Sequence, residues 1–179
     1  MDRFKLKTTP IKDLYIIELS PMADSRGYFE RLFCKKELSS ILNKTIKQIN
    51  YSFTRKKGSI RGMHYQLPPM AETKIIKCIK GSIFDVAIDL RKDSPTFLKW
   101  HGEVISEDNS KLFFVPEGFA HGFQSLEKNI EVIYFTTQYY DCKSERGVRY
   151  NDNMINIKWP LKTSNISDKD KSYPDIDSD

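Results

Sequence analysis

The stretch Ile83-Phe84-Asp85-Val86-Ala87-Ile88-Asp89-Leu90 decides the fold class of the chain. From Phe84 onward every second residue is a large apolar one, and the residues between them include two aspartates. Successive side chains of a β-strand point to opposite faces of the sheet, so a period of two places the apolar set on one face. The stretch therefore predicts a strand of an antiparallel sheet.

Strand patterns of the same kind occupy most of the chain. Turn signals such as Lys80-Gly81 and Pro116-Glu117-Gly118 separate them at intervals of roughly 10 to 20 residues, which is typical of an all-β sandwich, barrel or jelly roll. One segment differs, because its apolar residues at helical spacing predict a helix from Lys36 to Leu42. The predicted strands cover residues 15–19, 28–33, 49–53, 59–66, 74–79, 83–90, 98–105, 111–115 and 130–137.

Composition bounds the class of protein. The chain has 179 residues, of which 39% are hydrophobic and 30% charged, a balance that favours one globular domain over residues 1–179. The net charge of +5 comes from basic residues scattered among 24 acidic ones, so nucleic-acid binding is not predicted. With no signal peptide and no apolar run near the roughly 20 residues of a membrane helix, the predicted location is the cytoplasm, away from the membrane. The polar residues from about 173 are expected to form a flexible tail.

The sequence contains none of the common motifs for metal or phosphate chemistry. Cys34, Cys78 and Cys142 are far apart and lack CxxC spacing, so free thiols are predicted. His64 lacks the second histidine of an H-x-H pair, so no metal is predicted in a jelly-roll site. The G-x-S-x-G, P-loop and G-x-G-x-x-G motifs are also absent from the sequence.

Acid–base chemistry without a metal is what the sequence leaves open for His64. Lys74, Tyr134 and Asp170 would add a cation, a phenol and a carboxylate from other segments of the chain. Such a set can remove a proton next to a carbonyl and return one elsewhere. Spacing alone leaves an alternative for each residue, with the histidine and tyrosine as packed core side chains and the lysine and aspartate as solvated charges.

Eight motifs, which include His64, Lys74 and Asp170, occur in a characteristic order. They are Asp24-Ser25-Arg26-Gly27-Tyr28-Phe29, Gln48-Ile49-Asn50, Ile60-Arg61-Gly62-Met63-His64-Tyr65-Gln66, Glu72-Thr73-Lys74, Asp89-Leu90-Arg91-Lys92-Asp93-Ser94-Pro95-Thr96, Val115-Pro116-Glu117-Gly118-Phe119-Ala120-His121-Gly122-Phe123, Trp159-Pro160 and Ser167-Asp168-Lys169-Asp170. Together they resemble the dTDP-4-dehydrorhamnose 3,5-epimerase family over residues 10–172.

The resemblance implies a double-stranded β-helix of the cupin or jelly-roll type with a few short helices. It also implies a homodimer that uses no cofactor and acts on a 4-keto-6-deoxy sugar linked to a nucleotide diphosphate. By the same resemblance His64 is the general base, oriented by Asp170, and Lys74 lies near the sugar's 4-oxygen, where an enolate develops. Tyr134 is then the proton donor from the opposite face.

The resemblance also assigns substrate contacts. Arginine, lysine and aromatic side chains suit a diphosphate and a stacked base. Phe29 and Tyr140 match aromatic residues near the base. The positions that match contacts to the diphosphate or the sugar are Arg26, Gln48, Asn50, Arg61, His121, Glu145 and Lys169.

Three features depart from a simple match. Many members of the family carry an acidic residue where this chain has Arg31, and here Glu30 is displaced by one position. The segment around residues 56–58 is one residue longer than in many relatives. Finally, a regular strand would point Arg61 and His64 to opposite faces, so Gly62 is predicted to form a bulge or sharp twist.

Other functions stay open at the level of sequence. One alternative is an epimerase that inverts a single carbon, 3 or 5, of a related nucleotide-linked 4-keto sugar. Another is a non-catalytic or metal-using cupin that has kept the barrel.

Overall fold

Two antiparallel β-sheets face each other in the computed structural model of the chain, which describes residues 3–176. Hairpins and longer turns connect the strands, and a single short α-helix follows them among the described residues. The elements are β1 (Phe4–Thr8), β2 (Tyr15–Leu19), β3 (Met22–Asp24), β4 (Gly27–Phe29), β5 (Gln48–Thr54), β6 (Ile60–Gln66), β7 (Lys74–Lys80), β8 (Ser82–Asp89), β9 (Trp100–Ser106), β10 (Lys111–Val115), β11 (Phe119–Ser125), β12 (Ile130–Thr136), β13 (Glu145–Gly147) and α1 (Asp168–Ser172).

The strands form one six-stranded and one five-stranded sheet. The order in the first is β1-β2-β10-β7-β12-β5, and in the second it is β13-β6-β11-β8-β9. Neighbouring strands in both sheets are antiparallel, and β3 pairs with β4 in a separate hairpin. The all-β prediction is confirmed.

The alternation of Ile83–Leu90 is found in β8 as predicted. Its large apolar residues from Phe84 to Leu90 join one cluster with Val148 and Trp159, which come from the segment after β13. Ile83 and Ala87 point the other way, into the core between the two sheets. The five-stranded sheet is therefore covered on both faces, and two aspartates share its inner face with apolar residues.

The prediction of a helix from Lys36 to Leu42 is wrong, because the structure has hydrogen-bonded turns at residues 35–41. Leu38 and Leu42 are buried at the predicted spacing, in a cluster against the six-stranded sheet. The backbone hydrogen bonds are of two kinds: Ile41 N–H donates to the Leu38 carbonyl three residues before it, whereas Leu38 and Leu42 donate to carbonyls four residues before them. A segment this short gains few propagating hydrogen bonds, so its packing and not a regular helix fixes it.

The strand predictions need correction as well: one predicted strand is shorter than expected, and four strands were not predicted. The strand predicted over 28–33 ends at Phe29, because the next side chain, Glu30, turns inward to a buried ion pair with Lys77, 3.3 Å away. Strands β1, β3, β11 and β13 were not predicted. The most consequential omission is β11, which is buried along both faces and so lacks the alternation that marks a half-exposed strand.

The segment that follows α1 begins with residues held in place. The Ile176 N–H donates to Asp152 Oδ2 over 2.6 Å, and the Arg149 N–H donates to the Pro174 carbonyl over 3.0 Å. Of the flexible tail predicted from about residue 173, residues 177–179 lie outside the described residues. Within residues 3–176 no helix has the length and apolarity that crossing a membrane would require.

Candidate active site

His64 and Asp170 form the centre of the candidate site. His64 lies on β6, and its Nε2 is 2.8 Å from Oδ1 of Asp170 in α1. Asp170 Oδ2 accepts a hydrogen bond from the Gly62 N–H over 3.2 Å, and the Asp170 N–H donates to Ser167 Oγ at the start of the helix. The imidazole is 32% exposed and the carboxylate 7%, so the histidine faces open space while its partner is enclosed.

Asp170 is held in its charged form despite its burial. Burial raises the pKa of this carboxyl, but the hydrogen bonds from His64 and Gly62 outweigh that effect and keep the pKa below its ordinary value. The group is therefore ionised at neutral pH. A carboxylate in this position orients the imidazole ring and stabilises an imidazolium that forms on it.

A β-bulge at Gly62 turns Arg61 and His64 toward the same space. His121 of β11 pairs with His64 and Phe123 with Arg61, so three steps on β6 match two on β11. Gly62 has φ +128°, and a Cβ there would lie 2.6 Å from the Gly122 Cα, so only glycine fits. The predicted bulge is confirmed, and both side chains line one cavity.

Two adjoining cavities surround His64. The larger has a volume of about 730 Å³ and the smaller about 380 Å³. His64, Lys74 and Tyr134 line both of them, so these three side chains stand where the cavities meet. Lys56, from the loop predicted to be longer than in relatives, lies at the wall of the larger cavity.

Tyr134 reaches the cavities from the sheet opposite His64. It lies on β12, paired with Asn50 of β5 and Ile76 of β7 in the six-stranded sheet. Burial is the main cause that raises the pKa of its phenol; the negative charge of Glu72 raises it further, and the positive charge of Arg61 opposes both. The phenol is therefore protonated at neutral pH and can donate a proton.

Lys74 begins β7 beside a carboxylate. Its Nζ lies 3.2 Å from Glu72 Oε1, and the two side chains are 13% and 12% exposed. The ion pair is therefore largely shielded from water at the cavity wall. The Glu72-Thr73-Lys74 motif was recognised in the sequence, but Glu72 was not predicted as a site residue.

A second histidine, His121, lines the larger cavity and contacts a buried carboxylate behind it. His121 Nε2 is 2.6 Å from Asp85 Oδ1, and the Asp85 side chain has no exposed surface. Asp85 Oδ2 has no hydrogen-bond partner among the described residues. Sequence reasoning missed Asp85, although a charged residue within an apolar alternating strand was a usable signal.

Polar residues predicted as substrate contacts line the smaller cavity, among them Gln48, Asn50, Tyr140 and Glu145. The Tyr140 hydroxyl donates to Glu145 Oε2 over 2.9 Å, and Lys169 forms an ion pair with the same oxygen. Because Lys169 also lines the larger cavity, this pair lies between the two spaces.

Arg26 and Phe29 lie apart from these residues, on the hairpin of β3 and β4. Arg26 forms an ion pair with Asp24 over 2.6 Å, its side chain is 88% exposed, and neither residue is among those lining the two cavities. The displaced acidic residue Glu30 is directed into the protein, and Arg31 pairs with Glu37 over 3.0 Å.

Across residues 3–176, histidine, cysteine, aspartate and glutamate side chains form no group of three or more that could hold a metal ion. The two histidines at the cavities each contact one aspartate, 2.8 Å and 2.6 Å away.

Comparison with known proteins gives one consistent result. The model of the dTDP-4-dehydrorhamnose 3,5-epimerase family matches residues 8–178. A protein of that name from Shigella flexneri is 40% identical over 163 residues, which cover 90% of this chain and 90% of the relative.

Solved structures extend the similarity to three dimensions. The enzyme of that name from Bacillus anthracis, solved with TDP and PPi bound, has a TM-score of 0.93 and 39% identity, covering 97% of this chain and 99% of its own. A dTDP-6-deoxy-D-glucose-3,5-epimerase from Legionella pneumophila, in complex with dTDP-4-keto-L-rhamnose, has a TM-score of 0.91 and 35% identity, covering 96% and 92%. The predicted cupin-type jelly roll is confirmed.

Proposed function

The chain belongs to the dTDP-4-dehydrorhamnose 3,5-epimerase family, and we propose that it converts dTDP-4-dehydro-6-deoxyglucose to dTDP-4-dehydro-L-rhamnose by inverting two carbons. One observation carries the proposal. The imidazole of His64 and the phenol of Tyr134 come from facing sheets and line the same cavities, together with the ammonium group of Lys74.

His64 is the base in this proposal. A proton on the carbon next to a ketone is removed by the unprotonated ring nitrogen of a neutral imidazole, and the resulting cation needs a nearby anion. Nε2 of His64 contacts Asp170, so Nδ1 is the nitrogen left to take the proton. Asp170 supplies that anion at 2.8 Å and also accepts from the Gly62 backbone, which holds the carboxylate in one orientation.

Lys74 stabilises the enolate. Removing the proton moves negative charge onto the sugar's 4-oxygen, and a cation nearby favours that state over the ketone. Lys74 lines both cavities beside His64, so a ketone bound where the cavities meet would lie within its reach.

Tyr134 returns a proton from the other side. A base that gave its own proton back to the same face would restore the starting sugar, so inversion needs a donor on the opposite face. Because Tyr134 belongs to the six-stranded sheet and His64 to the five-stranded one, the two reach a bound sugar from opposite walls. Burial also keeps the phenol protonated, since it raises the pKa of Tyr134.

Substrate binding is proposed to use both cavities. Arg61 and Lys169 provide positive charge for a diphosphate, and Tyr140 provides an aromatic face for the base. His121 and Glu145, with Gln48 and Asn50, offer hydrogen-bonding groups along the cavity walls. The contacts assigned to Arg26 and Phe29 stay predictions.

The expected homodimer also stays a prediction, as does the cytoplasmic location. Ile49 and Tyr51 on the edge strand β5 are 65% and 59% exposed, and Tyr28 and Phe29 on the β3–β4 hairpin are 65% and 54% exposed. Exposed apolar residues along a sheet edge favour association with another chain. Light scattering should give twice the mass of one chain; the mass of a single chain would contradict the dimer.

Proton exchange with solvent tests the proposal. In deuterated water with dTDP-4-dehydro-6-deoxyglucose, the wild-type protein should place deuterium at carbons 3 and 5 of the sugar, seen by NMR. His64→Asn should abolish this labelling while dTDP binding is retained. Tyr134→Phe should keep some exchange but lose net inversion at one carbon.

His101→Asn is a matched control, because His101 lies on β9 and lines neither cavity. It should label the sugar at the wild-type rate. Undiminished labelling by His64→Asn would refute the assigned base, and label at a single carbon in the wild type would identify an epimerase of one carbon.

A further inference from the structure

Glu72 is a nearly enclosed carboxylate on the wall of the smaller cavity. It lies two residues before β7, and its Oε1 is 3.2 Å from Lys74 Nζ. Taking both charges of such a pair out of water is costly, and a hydrophobic pair at the same place is often no less stable. A buried ion pair at a cavity wall therefore points to a role in what the cavity does.

Two groups of the site depend on the placement of this charge. Lys74 has four rotatable bonds in its side chain, and an anion at its end limits the positions that the ammonium group can take. Tyr134 shares the smaller cavity with Glu72, and the negative charge of Glu72 acts on its phenol. One carboxylate thus contacts the enolate-stabilising group and influences the proton donor.

We propose that Glu72 is a positioning residue of the epimerase site, which fixes the ammonium group of Lys74 at the cavity wall and places a negative charge beside the Tyr134 phenol. The inference rests on the proposed function for the roles of Lys74 and Tyr134. It adds a carboxylate that pairs with the ammonium group of Lys74 and raises the pKa of the Tyr134 phenol.

Charged groups from several other elements also face Tyr134, and one of them opposes the effect of Glu72 on the pKa of the phenol. Arg61 on β6 lowers the pKa of the phenol, so the anionic Glu72 balances a cation on the facing sheet. The other titratable or charged side chains that line a cavity with Tyr134 are His64 and Tyr65 from β6, Lys74 from β7, His121 from β11, Glu145 from β13, Lys169 and Asp170 from α1, and Arg55, Lys56 and Tyr140 from loops.

Removing the charge without changing the shape tests this role. Glu72→Gln should move the basic limb of the kcat profile to lower pH by about one pH unit, since it removes one charge near a partly buried phenol. At neutral pH kcat should fall by about 10- to 100-fold through displacement of Lys74, with KM nearly unchanged. A wild-type limb and a wild-type kcat would together overturn the proposal.

A measurement without substrate separates this inference from the proposed function. In protein labelled with 13Cζ tyrosine, the Tyr134 signal is assigned by its loss in Tyr134→Phe, and its titration is followed by NMR. Glu72→Gln should lower the pH at which this signal titrates. A wild type that does not epimerise the sugar would refute the function, whereas an unmoved Tyr134 titration would overturn the role of Glu72.

Two further variants complete the design. Glu131→Gln removes a carboxylate from the same strand as Tyr134, but Glu131 pairs with Lys80 and lines neither cavity, so the titration and kcat should stay as in the wild type. Glu72→Asp keeps the charge on a shorter side chain, so the limb should stay in place while kcat falls. The proposal would be overturned if the basic limb of the kcat profile moved as far in Glu72→Asp as in Glu72→Gln. If Glu72→Gln does not fold, a wild-type kcat for Glu72→Asp would overturn it.

Discussion

Replacing Gly62 by alanine should destabilise the protein and disrupt the site at once. Gly62 has φ +128°, a conformation that L side chains rarely adopt. A Cβ there would lie 2.6 Å from the Gly122 Cα and 2.9 Å from the His121 carbonyl oxygen. Both contacts are with backbone of β11, which cannot move aside as the end of a flexible side chain can.

The magnitude follows from two contributions. Placing a non-glycine residue at positive φ costs about 1–2 kcal/mol. Forcing one extra carbon against a packed strand typically costs about 1–3 kcal/mol more. For a chain of this size 1 kcal/mol corresponds to about 2–4 °C, so the melting temperature should fall by about 10 °C.

Gly27→Ala supplies the matched control. Gly27 has φ +132°, almost the same as Gly62, but nothing lies within 4 Å of a Cβ built there. Urea and thermal unfolding followed by circular dichroism should show only the backbone contribution, about 1–2 kcal/mol, for this variant. The difference between the two variants therefore isolates the contact with β11.

Activity gives a second measurement on the same variants. A shift of β6 away from β11 would displace His64 relative to Asp170, so Gly62→Ala should lose most of its solvent exchange at temperatures where it is still folded. The reasoning is refuted if Gly62→Ala is destabilised no more than Gly27→Ala, or if it exchanges protons at the wild-type rate.

Three other outcomes are expected. Asp170→Asn should lower kcat by about 100-fold or more, because it removes the anion that stabilises the imidazolium, while calorimetry finds dTDP binding unchanged; a wild-type kcat contradicts the role. Burial alone would raise the pKa of Asp89, but hydrogen bonds from Arg91, Ser94 and Thr96 lower it to about 2. Asp89 therefore adds about 2 kcal/mol of stability above pH 4 that is lost as the pH falls toward 2. The free energies of unfolding of wild type and Asp89→Asn, measured in urea, should converge over that interval, and a constant difference between them would contradict the stabilising role of Asp89. Dialysis against EDTA should leave the epimerisation rate unchanged, and activity restored only by added metal would exclude the proposed chemistry.

Much of the fold could be predicted because the relevant signals are local. The strand at residues 15–19 and the one at residues 111–115 coincide with β2 and β10, whose short apolar runs and flanking turns are clear in the sequence. The helix at 36–42 failed because apolar spacing reports which side chains are buried, and a seven-residue segment can bury them in successive turns. Strand β11 was missed because both of its faces are covered, which removes the period of two.

Most residues of the candidate site were predicted from the family's sequence motifs, and few from the spacing or polarity of the residues themselves. Gly62 is the clearest case in which strand geometry added to the resemblance. The resemblance assigned both Arg61 and His64 to the site, and their odd spacing then required an extra residue in the strand. Asp85 was missed because its partner, His121, lies 36 residues away along the chain, and only the structure brings the two within 2.6 Å. Glu72 lies in a recognised motif, but the motif does not show that its carboxylate pairs with Lys74 on a cavity wall.

The contact between α1 and β6 has a consequence for the order in which the protein is made. Asp170 follows His64 by 106 residues and Gly62 by 108, yet it holds both of them. The last strand of the two sheets ends at Gly147, so all the strands are synthesised before the carboxylate that orients the base. Enzyme activity then reports that synthesis has passed residue 170 and that α1 has docked against β6.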